Sequence, residues 1–285
     1  MEIKVRKAER TQKALKMLLG GPSGSGKTYS ALLLAKGMGG KILFMDTENK
    51  SADLYADLVD FEKVDIEAPY TTEKYIEVMA YAEANGYNTL VIDSFTHAWA
   101  GEGGLLDQKA IFDMKPGSNS FVNFGKITPM HEKLKSAIIK LDINLIGCLR
   151  AKAQHEIVKD EQGKTKIEKL GTEVIQREGF EFEFDTAMML DMNHMASTAR
   201  GKDRTRLFEG KYFTISEQTG KDLIAWKQSA KPVERTPEQE KAYLLDKCKV
   251  LGVTFTDAEK AEMKAKDIPA QVEALKQIIK SKEAK

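Results

Sequence analysis

The sequence predicts an α/β protein, a mainly parallel sheet flanked by helices, with a small helical appendage at its C-terminal end. Short apolar runs with the composition of buried strands alternate with helix-like segments through residues 14–227. That alternation is the mark of a parallel sheet covered on both faces. Between the first strand and the first helix stands Gly21-Pro22-Ser23-Gly24-Ser25-Gly26-Lys27-Thr28, a complete G-x-x-x-x-G-K-[ST] loop. After residue 235 the strands stop and helix-capping signals take over.

Ala14–Leu19 reads as the first buried strand, and Tyr29–Gly37, with Ala31, Leu32, Leu33, Leu34 and Ala35, as an apolar helix. Lys41–Asp46 is an apolar run ending in an acid. Thr71–Ala84 has helical spacing at Tyr75, Ile76, Met79 and Ala80, and Asn85-Gly86 closes it as a C-cap. Thr89–Asp93 is a third strand, Pro129–Leu141 an amphipathic helix and Ile143–Leu149 a fourth strand. Farther on, Lys159–Lys166 has hairpin-tip composition, Asp185–Asp191 is a strand and Thr205–Phe213 is strand-rich. Thr236–Gln239 and Thr256–Glu259 fit the capping box, and Asp267 caps a third helix with Pro269 in its first turn. The expected organisation is a basic arm over 1–13, a core over 14–227, a linker over 228–235 and a helical domain over 236–285.

With 285 residues the chain has room for one large domain and a small one. Hydrophobic content of 42% and charged content of 31% are those of an ordinary globular protein. The first ten residues are charged and lack the apolar stretch of a secretory signal, and no apolar run approaches the length of a membrane span. Cys148 and Cys248 sit in apolar contexts and read as reduced core thiols, as expected of a cytoplasmic protein. A net charge of +1 excludes a uniformly basic surface, so any nucleic-acid contact must come from a local patch. Lys4, Arg6, Lys7, Arg10, Lys13 and Lys16 make the N-terminal arm basic, which is also the composition of a plain solvated segment.

The chemistry of the loop follows from its residue types. Glycines let successive backbone N–H groups converge on a polyphosphate, and the helix N-terminus adds partial positive charge. Lys27 is expected to reach the β- and γ-phosphates, the Thr28 hydroxyl to ligate Mg²⁺, and Tyr29 to complete the nucleotide contacts. Asp93, at the end of an apolar strand, fits the Walker B acid that holds Mg²⁺ opposite Thr28; capping of the following turn is the plainer alternative. Glu48 lies just past the strand ending at Asp46, where ligands of parallel sheets gather. A carboxylate there can orient or deprotonate an attacking water, or be only a surface residue beside Asn49 and Lys50.

The order of these pieces resembles the RecA/RadA recombinase ATPase core, an AAA/RecA-type P-loop fold. It is similar above all to the shortened RecA-like ATPases of bacteriophages, grouped with single-strand annealing and recombination. The stretches that carry the resemblance are Asp46-Thr47-Glu48, Asp93-Ser94, Phe121–Pro129, Leu149–Lys152, Gln176–Asp185 and Lys202–Arg204, within residues 14–226. The resemblance implies ATP and Mg²⁺ as cofactors, Glu48 as the catalytic carboxylate, single-stranded DNA as partner and a homo-oligomer. The chain departs from full-length recombinases at the end of the fourth strand, where their Asn-Gln sensor is replaced by Cys148-Leu149-Arg150. Arg150 and Lys152 are candidate substitutes, since cations aimed at a γ-phosphate stabilise its charge; salt bridges to Glu156 or Glu173 are the alternative.

In such cores the nucleic-acid contacts follow the third and fourth of these strands, here residues 101–125 and 151–176. Lys109, Lys115, Phe121 and Lys126 in the first region, and Lys164, Lys166 and Lys169 in the second, are the candidate contacts. Composition alone reads both as Gly-rich loops of nearly balanced charge. Lys202 and Arg204, in the cluster Arg200–Arg206, are candidate trans-acting cations or simply solvated turn residues. The helical tail is expected to recruit a protein partner. Two other functions fit a bare phosphate loop: a small-molecule kinase, which needs an Arg-rich lid, and an ATP-gated binding module without turnover.

Overall fold

The computed structural model describes residues 5, 7–159, 165–232, 235–250 and 253–283, with the backbone alone over 153–159, 165–171 and 199–201 and at 250, 257, 282 and 283. Its first half runs β1 (Lys16–Gly21), α1 (Lys27–Met38), β2 (Ile42–Asp46), a 3-10 turn (Ser51–Tyr55), β3 (Glu62–Asp65), α2 (Thr72–Ala84) and β4 (Thr89–Asp93). Then come α3 (Thr96–Ala100), α4 (Leu105–Asp113), α5 (Ser120–Lys140), β5 (Asn144–Lys159) and β6 (Thr165–Val174). A second 3-10 turn (Phe180–Glu183) leads to β7 (Thr186–Leu190), β8 (Met195–Asp203), β9 (Tyr212–Thr214) and α6 (Glu217–Gln228). The chain closes with α7 (Pro237–Val250), α8 (Asp257–Ala265) and α9 (Ile268–Glu283).

The sheet has the order β3-β2-β4-β5-β1-β7-β8-β9, with β6 paired to β5. Pairings from β3 through β7 are parallel, while β8 and β9 add an antiparallel edge. β1, β2 and β4 are buried at every position, because both faces of the sheet are covered. The two-residue period of a strand sorts their side chains into two cores. Met17 and Leu19 join Leu32, Phe44, Val91 and Ile146 under α1 and α6. Leu18 points the other way, with Leu43, Leu90 and Ile92, against Tyr75 of α2, Leu134 of α5 and Phe180. Lys16 Nζ donates to the carbonyls of Leu141 and Ile143 at 2.7 Å each, which ties the start of β1 to the turn before β5.

Several elements differ from the sequence expectation. The helix expected to start at Pro129 starts at Ser120, where the Asn119 side chain accepts from the amides of Phe121 and Val122. Pro129 is carried inside it. Residues 101–125, expected as a loop, contain α4 and the first turns of α5. Residues 151–176 are not a loop either: β5 continues beyond the sheet and pairs with β6 as a two-stranded antiparallel ribbon. Thr205–Phe213 is mostly turn, because the Asp203 carboxylate accepts from the amides of Thr205 and Phe208 and takes them out of any ladder; the strand β8 precedes it.

The chain ends are attached to the core. Arg10 donates to Trp226 O and lies over the Trp226 ring at 4.6 Å, and Thr11 bridges to Lys231. The C-terminal helices pack around Leu244, Cys248, Leu275 and Ile279. Arg235 joins them to the core through an ion pair with Asp142 and a position over the Tyr243 ring at 4.2 Å. Among the described residues no helix is long and apolar enough to cross a membrane.

Candidate active site

The phosphate loop leaves β1 at the C-terminal edge of the parallel strands and closes as a tight turn, Ser25 N donating to Pro22 O at 3.2 Å. Gly24 and Gly26 hold φ of 82° and 83°, the left-handed region that favours glycine. A Cβ at Gly21 would lie 2.4 Å from Ser25 Oγ and 2.8 Å from Leu190 O, so the loop backbone packs where no side chain fits. α1 begins with no side-chain cap. The first-turn amides of Lys27, Thr28 and Tyr29 have no intrahelical acceptor by helix geometry, an arrangement suited to an anion.

Lys27 is buried, and its Nζ donates to Gly21 O at 3.0 Å and Pro22 O at 2.9 Å. Thr28 Oγ1 donates to Asp93 Oδ2 at 2.6 Å, which brings α1 and the end of β4 together on the floor of the site. Burial pushes the Asp93 carboxyl up to about 6; Thr28 and Lys27 oppose the shift, and Glu48 and Asp46 add to it. A hard divalent cation at this hydroxyl–carboxylate pair would supply the missing compensation, so the residues fit Mg²⁺. Ser25 Oγ is buried without a partner, a further polar atom turned into the loop.

Glu48 is placed by the bend after β2. Asp46 accepts from the Glu48 amide at 2.6 Å and from Ala52 N at 3.3 Å, while Asn49 and Lys50 take φ of 54° and 64°. The Glu48 carboxylate receives Arg150 Nε on Oε1 at 2.7 Å, Arg150 Nη2 on Oε2, and the Ser94 hydroxyl on Oε1 at 3.1 Å. His97 Nε2 stands 4.0 Å from Oε1, and its Nδ1 is 2.7 Å from Thr47 Oγ1. Burial alone would raise the Glu48 pKa; Arg150 above all, with His97 and Ser94, outweighs it and holds the group below the usual carboxylate value.

A cavity of about 570 Å³ joins these groups, lined by the loop, Lys27, Thr28, Glu48, Asp93 and Arg150. Five of the residues predicted to act on phosphate, metal or water thus share one space, as does Tyr29. The sequence reasoning missed others: Tyr55, whose ring meets Tyr29 edge to face at 5.7 Å, and His194, over Gly26. Tyr55 lies one short turn past Glu48, a spacing that pattern reading could have flagged; His194 reaches the site only through the β7–β8 turn.

The remaining candidates lie elsewhere. Lys152 is exposed and 3.8 Å from Glu173, outside the cavity lining. Lys202 and Arg204 sit at the Thr186 end of β7, opposite the phosphate loop, where Arg204 pairs with Asp185 at 3.3 Å. Lys109 is buried, bound to Asp113 and Ser120 at 2.6 Å each, and so is withdrawn from any DNA-facing surface. Lys115 and Lys126 both approach the Phe112 ring, and Phe121 is 87% exposed. Lys166 and Lys169 lie on β6, and Lys164 falls outside the described residues.

No curated protein matches the sequence at a significant level. Among solved structures, the RadB recombinase aligns with a TM-score of 0.38 at 17% identity, over 79% of this chain and 93% of that one. An ATPase from the type III secretion system of pathogenic bacteria aligns with a TM-score of 0.41 at 14% identity, over 94% and 81%. A family model described as the AAA domain matches residues 13–222, from just ahead of β1 into α6, and the chain belongs to that family.

Proposed function

We propose that this protein hydrolyses ATP with Mg²⁺ and couples the reaction to single-stranded DNA, as an oligomer, in recombination or annealing of the bacteriophage type. The observation that carries the hydrolase reading is the convergence of Lys27, the Thr28–Asp93 pair and Glu48 on one cavity. Lys27 and the first-turn amides of α1 bind the phosphate chain. Thr28 and Asp93 would hold Mg²⁺, which when bound would supply positive charge to the phosphate oxygens. Glu48 orients a water and accepts its proton, and Tyr29 and Tyr55 offer ring surface in the cavity wall.

The DNA reading is supported by the α4–α5 hairpin, where Phe121, Val122 and Met114 are exposed and Lys115 and Lys126 approach the half-buried Phe112 ring. Exposed aromatic faces next to cations can stack bases and neutralise the backbone without reading sequence. The helical tail, with its separate core, is the segment proposed to recruit a protein partner. The test is steady-state ATP turnover with and without single-stranded DNA, for the wild type and Glu48→Gln. Turnover stimulated by DNA and lost in the variant is the expected result. Turnover indifferent to both overturns the reading, and phosphorylation of a small acceptor would replace it with a kinase.

A further inference from the structure

Glu48 and Arg150 are 102 residues apart in sequence, yet both line the nucleotide cavity and meet fork to fork. Two guanidinium donors and the Ser94 hydroxyl take three of the roughly four lone-pair sites of the carboxylate. A base needs such lone pairs in order to draw a proton from water. In this arrangement Glu48 is ionised, oriented and largely masked. The Arg150 side chain is 45% exposed, so packing does not hold it to its partner. A planar guanidinium binds phosphate oxygens with the same fork it offers a carboxylate, and the more highly charged anion competes well for it.

We infer that Arg150 exchanges partners, holding Glu48 when no terminal phosphate is present and releasing it to bind the terminal phosphate of a nucleoside triphosphate. Recognition of the triphosphate over the diphosphate and exposure of the base then become one event. This rests on the hydrolase reading above. The Arg150 backbone is fixed on both sides: its amide donates to Thr96 Oγ1 at 2.8 Å, and its carbonyl accepts from Ile175 N at 2.8 Å. Only the side chain has to swing. Glu48 keeps Ser94 and the nearby His97 when Arg150 leaves, so the carboxylate stays in place for the water.

The test is calorimetric titration of ADP and of a non-hydrolysable ATP analogue, both with Mg²⁺, into wild type, Glu48→Gln, Arg150→Gln and the double variant. The readout is the preference for triphosphate over diphosphate. With Glu48 replaced, Arg150 has no competing partner, and its further replacement lowers the preference by roughly tenfold, the scale of a charge-assisted bond. In the wild-type background the same change lowers it several-fold less, because the lost bond to Glu48 offsets the lost bond to phosphate. No effect of Arg150→Gln in the Glu48→Gln background overturns the proposal, and so does an equal effect in both. Arg150→Lys, measured the same way, serves if the glutamine variant does not fold. Turnover by Glu48→Gln judges the hydrolase reading, whereas the affinity ratios judge the exchange.

Discussion

The Thr28 hydroxyl and the Asp93 carboxylate meet across 2.6 Å, joining the first turn of α1 to the end of β4. Replacing either by a group that cannot ligate a cation (Thr28→Val or Asp93→Ala) is expected to weaken Mg²⁺-dependent nucleotide binding by roughly ten- to hundredfold. Titration of a fluorescent ATP analogue with and without Mg²⁺ checks this. The affinity measured without Mg²⁺ should change little.

Lys27 is buried among the carbonyls of its own loop. Lys27→Ala removes the loop's one lysine, the cation that the proposed reading assigns to the phosphates. Nucleotide binding is expected to be lost, and unchanged affinity for the same fluorescent analogue would refute the role of the loop.

On the α4–α5 hairpin, Phe121→Ala is expected to weaken single-stranded DNA binding by about 1–3 kcal/mol, the scale of one base–aromatic stack. The combined change Lys115→Ala and Lys126→Ala should also flatten the dependence of affinity on salt, because fewer counterions are released. Fluorescence anisotropy at several salt concentrations measures both.

His131 of α5 is buried between Trp99 and Phe180, ring centroids 5.7 Å from each. Burial, with the charges of Arg177 and Lys135, depresses its pKa to about 4 against the opposing Glu132. The unfolded chain takes up this proton near the ordinary histidine value, and the folded chain does so only near 4. Stability is therefore complete above about pH 6.5 and falls as pH drops through that window, by roughly 2 kcal/mol once solvent screening is discounted. Urea unfolding at pH 7 and pH 4.5 should show a smaller difference for His131→Leu than for the wild type.

Deletion of 236–285 removes the α7–α9 core and the partners of Arg235 at Glu240 and Tyr243. The melting temperature is expected to fall while ATP turnover is retained. Loss of turnover would place these helices in the catalytic core.

The parts of this protein readable from sequence are those whose chemistry is local. The phosphate loop needs glycines, a lysine and a threonine in consecutive positions, and the parallel strands announce themselves because both faces are buried. What escaped was nonlocal or lacked a recognisable cap. α4 starts from Gly104 with no side-chain cap, so its glycines read as a loop. α6 uses Ser216 with Thr219 rather than Glu or Gln in its capping box. Lys109 looked free because α4, which sets Asp113 one turn away from it, went unrecognised, as did the start of α5 that brings Ser120. Arg150 was visible as a cation near the site, but its partner Glu48 lies in the bend after β2, 102 residues away.

Arg150 is the last residue of β5 registered against β1, opposite Gly21, and Ala151 is the first registered against β6. The ribbon outside the sheet and the guanidinium inside the cavity hence meet at adjacent residues of one strand. Anything seated along that outer arm would therefore lie next in the chain to the side chain that clasps Glu48.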